Sequence, residues 1–239
     1  MLVAGLVAVV VALVVHHNIT QQDIIIFCIL VPSVILHEVS HGAVAYAFGD
    51  DTAKRAGRLT LNPLPHVDPV GTLLVPALLS VTSYGFIGWA KPVPVDLARL
   101  RSPRNQGLAV ALAGPLTNAV LAVVFGWVFV TFFRSGLPAG VAAGDWSVAA
   151  QVALLASVVN VGLCAFNLLP IPPLDGSAMV ERAIPARSWP TYLRYRRYTM
   201  PVVIGLVLLN FLLISNGHTG PITWIFEHLY HWWAGVLGV

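Results

Sequence analysis

The sequence predicts an all-α polytopic membrane protein, with about six transmembrane helices and a re-entrant segment carrying short strands between the second and third. Three observations carry that expectation. Of 239 residues, 57% are hydrophobic and only 10% are charged, against about a quarter charged in a soluble domain. Uncharged runs of about 15 to 27 residues recur along the chain, whereas soluble helices average about 11–12 residues and a bilayer crossing needs about 20. The basic residues can also be sorted onto one side of a membrane. A net charge of only +3 and two cysteines exclude a disordered chain, a nucleic-acid binder and a disulfide scaffold. Cys28 and Cys164 both fall in apolar runs and read as reduced, buried side chains.

The first span, 2–15, is short. It has neither a basic n-region nor an A-x-A-like site, so it reads as retained rather than as a cleaved signal peptide. The second, 24–48, is interrupted only by Glu38. The third is 107–133, the fourth 148–169 and the fifth 198–214. The sixth, 221–237, mixes Glu227, His228 and His231 with Trp224, Trp232 and Trp233, a composition that suits either a crossing or an amphipathic helix in the interface.

A seventh apolar stretch, 70–89, is broken by Gly71, Pro76, Gly85 and Gly88. If it re-enters without crossing, twelve of the thirteen Lys and Arg lie on one side and only Arg134 on the other. That is the split the positive-inside rule predicts, and a crossing would scatter it. Both termini are then cytoplasmic. Prolines 63, 65, 69, 92 and 94 favour extended or turn conformations over helix in the region 49–106, with short strands expected around 58–61 and 91–95. The whole of 1–239 reads as one domain with a catalytic core of about 24–176.

The second span contains His37-Glu38-Val39-Ser40-His41. On a helix, residues four apart lie on one face, so both imidazoles can reach one metal with Glu38 beside it to handle a proton. With eight His and three Glu in the chain, about 0.003 chance matches to H-E-x-x-H are expected. The other reading is a hydrogen-bonded structural cluster in a bundle interior, but an ionisable group inside a membrane span is functional by default. Zinc suits two neutral histidines and a carboxylate, with a fourth position left for water.

The third ligand has to come from the same side of the membrane. The second and fourth spans both run toward the cytoplasm in this topology, and the fourth ends in NLLPIPPLDG, which makes Asp175 the candidate. Its other reading is a helix N-cap, and the two roles are compatible. Asn160, Cys164 and Asn167 follow i, i+4, i+7 spacing and share a face leading toward Asp175. Asn160 reads as an interhelical hydrogen-bonding residue. Asn167 is poised between that role and donation to a developing oxyanion, and Asn118 in GPLTN is similar. His66 and Asp68 sit before the re-entrant stretch, where they could orient a ligand, bind substrate or stabilise a turn. No metal role is expected for His16, His17, His228 or His231. Arg194, Arg196 and Arg197 read as anchors for anionic headgroups.

HEVSH, NPLPHVDPVGTLLVP, GWAKPVPVD followed by AGPLTN, and NLLPIPPLDG together resemble the site-2 protease family of intramembrane zinc metalloproteases, in a minimal form without PDZ or CBS domains. The resemblance covers most of the second through fourth spans in the family's order. It implies one zinc bound by His37, His41 and Asp175, Glu38 as catalytic base, and Asn167 near the scissile carbonyl. It also implies that the substrates are single-span membrane proteins, often regulators. The expectation is thus peptide hydrolysis toward the cytoplasmic leaflet of the cell membrane. The alternative is a non-hydrolytic zinc-binding protein or metal transporter, although a transport path should show ligands through the bilayer and often repeated halves.

Overall fold

The computed structural model describes residues 20–68, 91–137 and 146–239. The expected first span and the re-entrant stretch lie outside these residues. Helix α1 (Gln21–Ala47) ends where Gly49 adopts φ +105°. The Asp50 N–H then bonds back to Ala45 O and the Gly49 N–H to Tyr46 O, a Schellman closure that glycine permits. A single turn, α2 (Thr52–Arg55), follows. Helix α3 (Pro103–Phe132) starts with a proline at its first position, where a missing N–H does no harm. Helix α4 (Val148–Asn167) is capped by Ser147, whose hydroxyl accepts from the Ala150 N–H. The chain then continues through α5 (Ser177–Ala183), α6 (Trp189–Ser215) and α7 (Pro221–Leu237).

Four helices are long and apolar enough to cross a membrane among the described residues: α1, α3, α4 and α6. The expectation of six spans is therefore met in part. Helix α7 has 17 residues, about 26 Å at 1.5 Å per residue, which falls short of a hydrocarbon core of about 30 Å.

Helices α1, α3 and α4 form the bundle that carries the site. Contacts from α1 onto α3 run backward, His37 meeting Asn118 and His41 meeting Val110, so these two are antiparallel. Helix α4 runs parallel to α1: Asn160 meets Ser33, and Asp175 beyond its end meets His37 and His41. Thus α1 ends and α3 begins at one end of the bundle, where Ala45, Leu100 and Val110 pack together.

Between apolar helices in lipid, close approach and polar contacts hold the bundle rather than water exclusion. Small residues supply the approach at Ala122, Ala153 and Ala156, all buried. Buried Ser157 joins three helices: its hydroxyl donates to Ala122 O at 2.7 Å and accepts from the Trp233 indole N–H of α7 at 2.8 Å. Leu237 of α7 then packs with Phe129 and Leu154, and Gly238 lies against the Arg134 guanidinium. The described C-terminus therefore sits at the end of α3 remote from Asp175. That differs from the expectation of a C-terminus on the site's own face; the N-terminus lies outside the described residues. The cause is packing: α7 runs antiparallel along α4, while α6, with Val202, Ile204, Leu208 and Leu212 exposed, contributes little to the bundle.

No strand occurs among the described residues, which corrects the expectation around 58–61 and 91–95. The amides of the second stretch are already taken one by one. Lys91 N–H donates to His66 O, Val93 N–H to Glu38, and Asp96 N–H to Asp50, leaving no ladder to form.

Candidate active site

Helix α1 presents Ser33, His37 and His41 at i, i+4 and i+8, one polar stripe turned into the bundle. Each imidazole is fixed through its Nδ1. That of His37 donates to Asn118 Oδ1 at 2.5 Å and that of His41 to the Val110 carbonyl at 2.7 Å. Pro115 lacks the N–H that the Ala111 carbonyl would use, so the ladder of α3 is loosened at the turn where Val110 receives His41. A neutral imidazole holds one proton, and with that proton on Nδ1 each Nε2 offers a bare lone pair.

Those lone pairs face each other across 3.1 Å. Asp175 Oδ2 lies 3.0 Å from His37 Nε2 and 3.4 Å from His41 Nε2, and it is buried without a hydrogen-bond donor of its own. Three acceptors crowded together repel unless a cation lies among them. A tetrahedral zinc with bonds of about 2.0–2.1 Å sets its ligand atoms about 3.3 Å apart, and the three observed separations bracket that value. Gly114 completes the cradle. A Cβ at this position would lie 2.5 Å from both Nε2 atoms, in the space the ion needs. The residues fit the metal.

Glu38 points from the same turn of α1 into the cleft, with Oε2 accepting the Val93 N–H at 2.9 Å. The cleft has a volume of about 820 Å³ and is lined at its floor by His37, Glu38, His41, Asn167 and Asp175. Its mouth carries Arg104, Glu181, Arg182 and Arg196. Asn167 donates one Nδ2 hydrogen to Leu163 O at 3.0 Å, so the second remains for the cleft. Asp175 stands immediately before Gly176, whose backbone is packed against the Leu168 carbonyl and whose N–H bonds to Asn167 O at 2.7 Å. That loop closure swings Asp175 back beneath α1.

The other singled-out residues fall elsewhere. Asn118 touches His37 directly, and Asn160 bonds across helices to Ser33 and Asn118. His66 is buried in a 3₁₀ turn (Leu64–His66), with its Nε2 donating to Thr60 O and its own carbonyl holding Lys91. Neither His66 nor Asp68 is among the residues lining the cleft. Sequence reasoning missed Gly114, although it lies four residues before Asn118 and so on the same face of α3. It also missed Asp50.

Asp50 is fully buried and acts as a second clamp on the strap formed by Lys91–Asp96. One oxygen accepts from the Thr52 N–H and hydroxyl, the other from the Asp96 N–H at 2.7 Å. Burial pushes its carboxyl pKa up, but the Thr52 hydroxyl, the Asp96 and Thr52 amides and the nearby Arg99 outweigh burial and hold it below the usual range. A carboxyl depressed on folding stabilises fully above the unfolded value of about 3.9, and that contribution is lost as pH falls through the folded value. Asp50→Asn is expected to lower stability by roughly 1.5–3 kcal/mol at pH 7. In thermal unfolding, the gap to the unsubstituted protein should narrow below about pH 4.

A cluster of two imidazoles and a carboxylate at the floor of a cleft between apolar helices defines a metallopeptidase-like membrane protein. The sequence model of peptidase family M50 matches residues 25–210. A Bacillus subtilis strain 168 protein named as a zinc metalloprotease, YwhC, is 42% identical over 65% of this chain and 67% of its own length. A Mycolicibacterium smegmatis protein named as zinc metalloprotease Rip2 is 33% identical over 87% of this chain and 71% of its own. The Rip2 of Mycobacterium tuberculosis strain Erdman is 30% identical over 82% and 70%. No solved structure matches. The chain belongs to peptidase family M50, the site-2 protease family, and zinc is the cofactor this membership indicates.

Proposed function

We propose that the chain is an intramembrane zinc endopeptidase that hydrolyses a peptide bond within or near the transmembrane segment of a membrane-protein substrate, a single-span regulator by family resemblance. The observation that carries this is the convergence of the His37, His41 and Asp175 lone pairs beside Glu38 in one cleft. The histidines lie about 9 and 15 Å inside the end of α1 at 1.5 Å per residue, deep enough to meet a buried peptide and near enough to the surface for water. The arginines at the mouth support a cytoplasm-facing cleft.

His37, His41 and Asp175 would hold the zinc, which when bound would acidify a water toward a pKa of about 7 and polarise the scissile carbonyl. Glu38, with Oε2 held by Val93, takes the attacking water's proton on its other oxygen and passes it to the leaving amine. Asn167 lines the cleft, and its second Nδ2 hydrogen would donate to a developing oxyanion. The backbone of a substrate helix is internally bonded, so local unwinding in the cleft has to precede attack.

Reconstitution in liposomes with single-span membrane proteins tests this reading. Cleavage should appear in the zinc-loaded protein, vanish with a chelator and return with zinc. A zinc-loaded protein that cuts none of them but carries zinc across the bilayer would overturn it and leave the transporter reading.

A further inference from the structure

We propose that Asn160 is a positioning residue that sets the direction of a buried hydrogen-bond chain, Asn160 to Asn118 to His37, and thereby forces His37 to present a bare Nε2 to the metal. The inference rests on the reading of His37 as a zinc ligand. Asn160 belongs to α4, Asn118 to α3 and His37 to α1, and both asparagines are fully buried.

The direction is fixed at the far end of the chain. Asn160 Nδ2 lies 2.9 Å from the Ala156 carbonyl and 3.0 Å from Ser33 Oγ. A backbone carbonyl can only accept, so the NH₂ group must face it. Turning the carboxamide over would set its oxygen against the Ala156 carbonyl oxygen. Asn160 Oδ1 is therefore presented to Asn118, whose Nδ2 donates to it at 2.8 Å. Asn118 is then itself locked, with Oδ1 toward His37. Only a donor can sit 2.5 Å from that oxygen, so His37 Nδ1 holds a proton, and in the neutral ring Nε2 therefore does not.

His41 needs no such device, because its Nδ1 meets a backbone carbonyl, an acceptor that cannot be turned over. His37 meets a side-chain amide, which by itself could present either end. Asn160 supplies the polarity that Asn118 lacks. Loss of a partner that orients a metal-bound histidine typically lowers metal affinity 10–100-fold.

Two measurements on the full chain in detergent test this: ¹⁵N NMR of the histidine side chains and zinc competition against a chromogenic chelator. The metal-free, unsubstituted protein should already show His37 as the Nδ1–H tautomer. Asn160→Leu should release Asn118, mix the tautomers and weaken zinc binding about 10–100-fold. Asn160→Asp should restore both readouts, because its carboxyl, protonated in this apolar setting, donates to Ala156 and accepts from Asn118. An Nε2–H tautomer in the metal-free protein overturns the inference, and this arm requires no variant to fold. A helical Asn160→Leu with unchanged tautomer and affinity overturns it too, as does Asn160→Asp failing to restore them. Failure of the unsubstituted protein to bind zinc overturns the ligand reading itself.

Discussion

Glu38→Gln should leave zinc bound and lower the rate of peptide cleavage by about 10²–10⁴-fold, the usual contribution of a positioned proton-transfer group. The substitution is nearly isosteric, and a glutamine oxygen still accepts the Val93 N–H, so the Lys91–Asp96 strap stays seated. Glu38 is also outside the His37, His41 and Asp175 group, so metal content should match the unsubstituted protein. The informative measurement is therefore paired, zinc by elemental analysis and cleavage of a reconstituted substrate. A variant that keeps zinc and keeps cutting removes Glu38 from the chemistry.

Gly114→Ala should give the complementary outcome, a folded protein that has lost its metal. The added Cβ would lie 2.5 Å from Nε2 of both His37 and His41, far inside contact distance, and no rotamer relieves it because a Cβ does not rotate. Either the imidazoles or the backbone of α3 must move, and both routes destroy the ligand spacing. Alanine is a better helix former than glycine by about 1 kcal/mol, so α3 itself should be no less helical. Zinc affinity should fall by at least about 100-fold, beyond the upper end for loss of an orienting partner, while helical circular dichroism is retained. Zinc binding at the original affinity would show that the metal lies elsewhere.

The sequence made some elements legible because the signal was local. The uncharged runs located α1, α3, α4 and α6, but their ends differ: α3 begins at Pro103, before the apolar run, since a helix can emerge into water with Arg104, Asn105 and Gln106 on it. The histidine pair was legible from i, i+4 spacing alone, and Asp175 from the shared direction of two helices. The stripe from Ser33 to His41 carried a signal of the same kind. Asp50 carried none, because its role depends on Asp96, which the chain brings back only after the 69–90 region. Short strands were expected from proline content and extended propensity. Propensity does not reveal that Glu38, Asp50 and His66 would consume the amides a ladder needs. The placement of α7 was likewise out of reach, since Trp233 could be matched to Ser157 only once both helices were folded.

The donors of the metal cluster come from widely separated stretches of chain, two early on α1 and one after α4. A ribosome adding about 5–20 residues per second needs on the order of ten seconds to pass from His41 to Asp175. During that interval the nascent polypeptide offers an ion two imidazoles and no third arm. On the proposed function, hydrolytic competence would therefore arrive only once Asp175 has joined the two histidines.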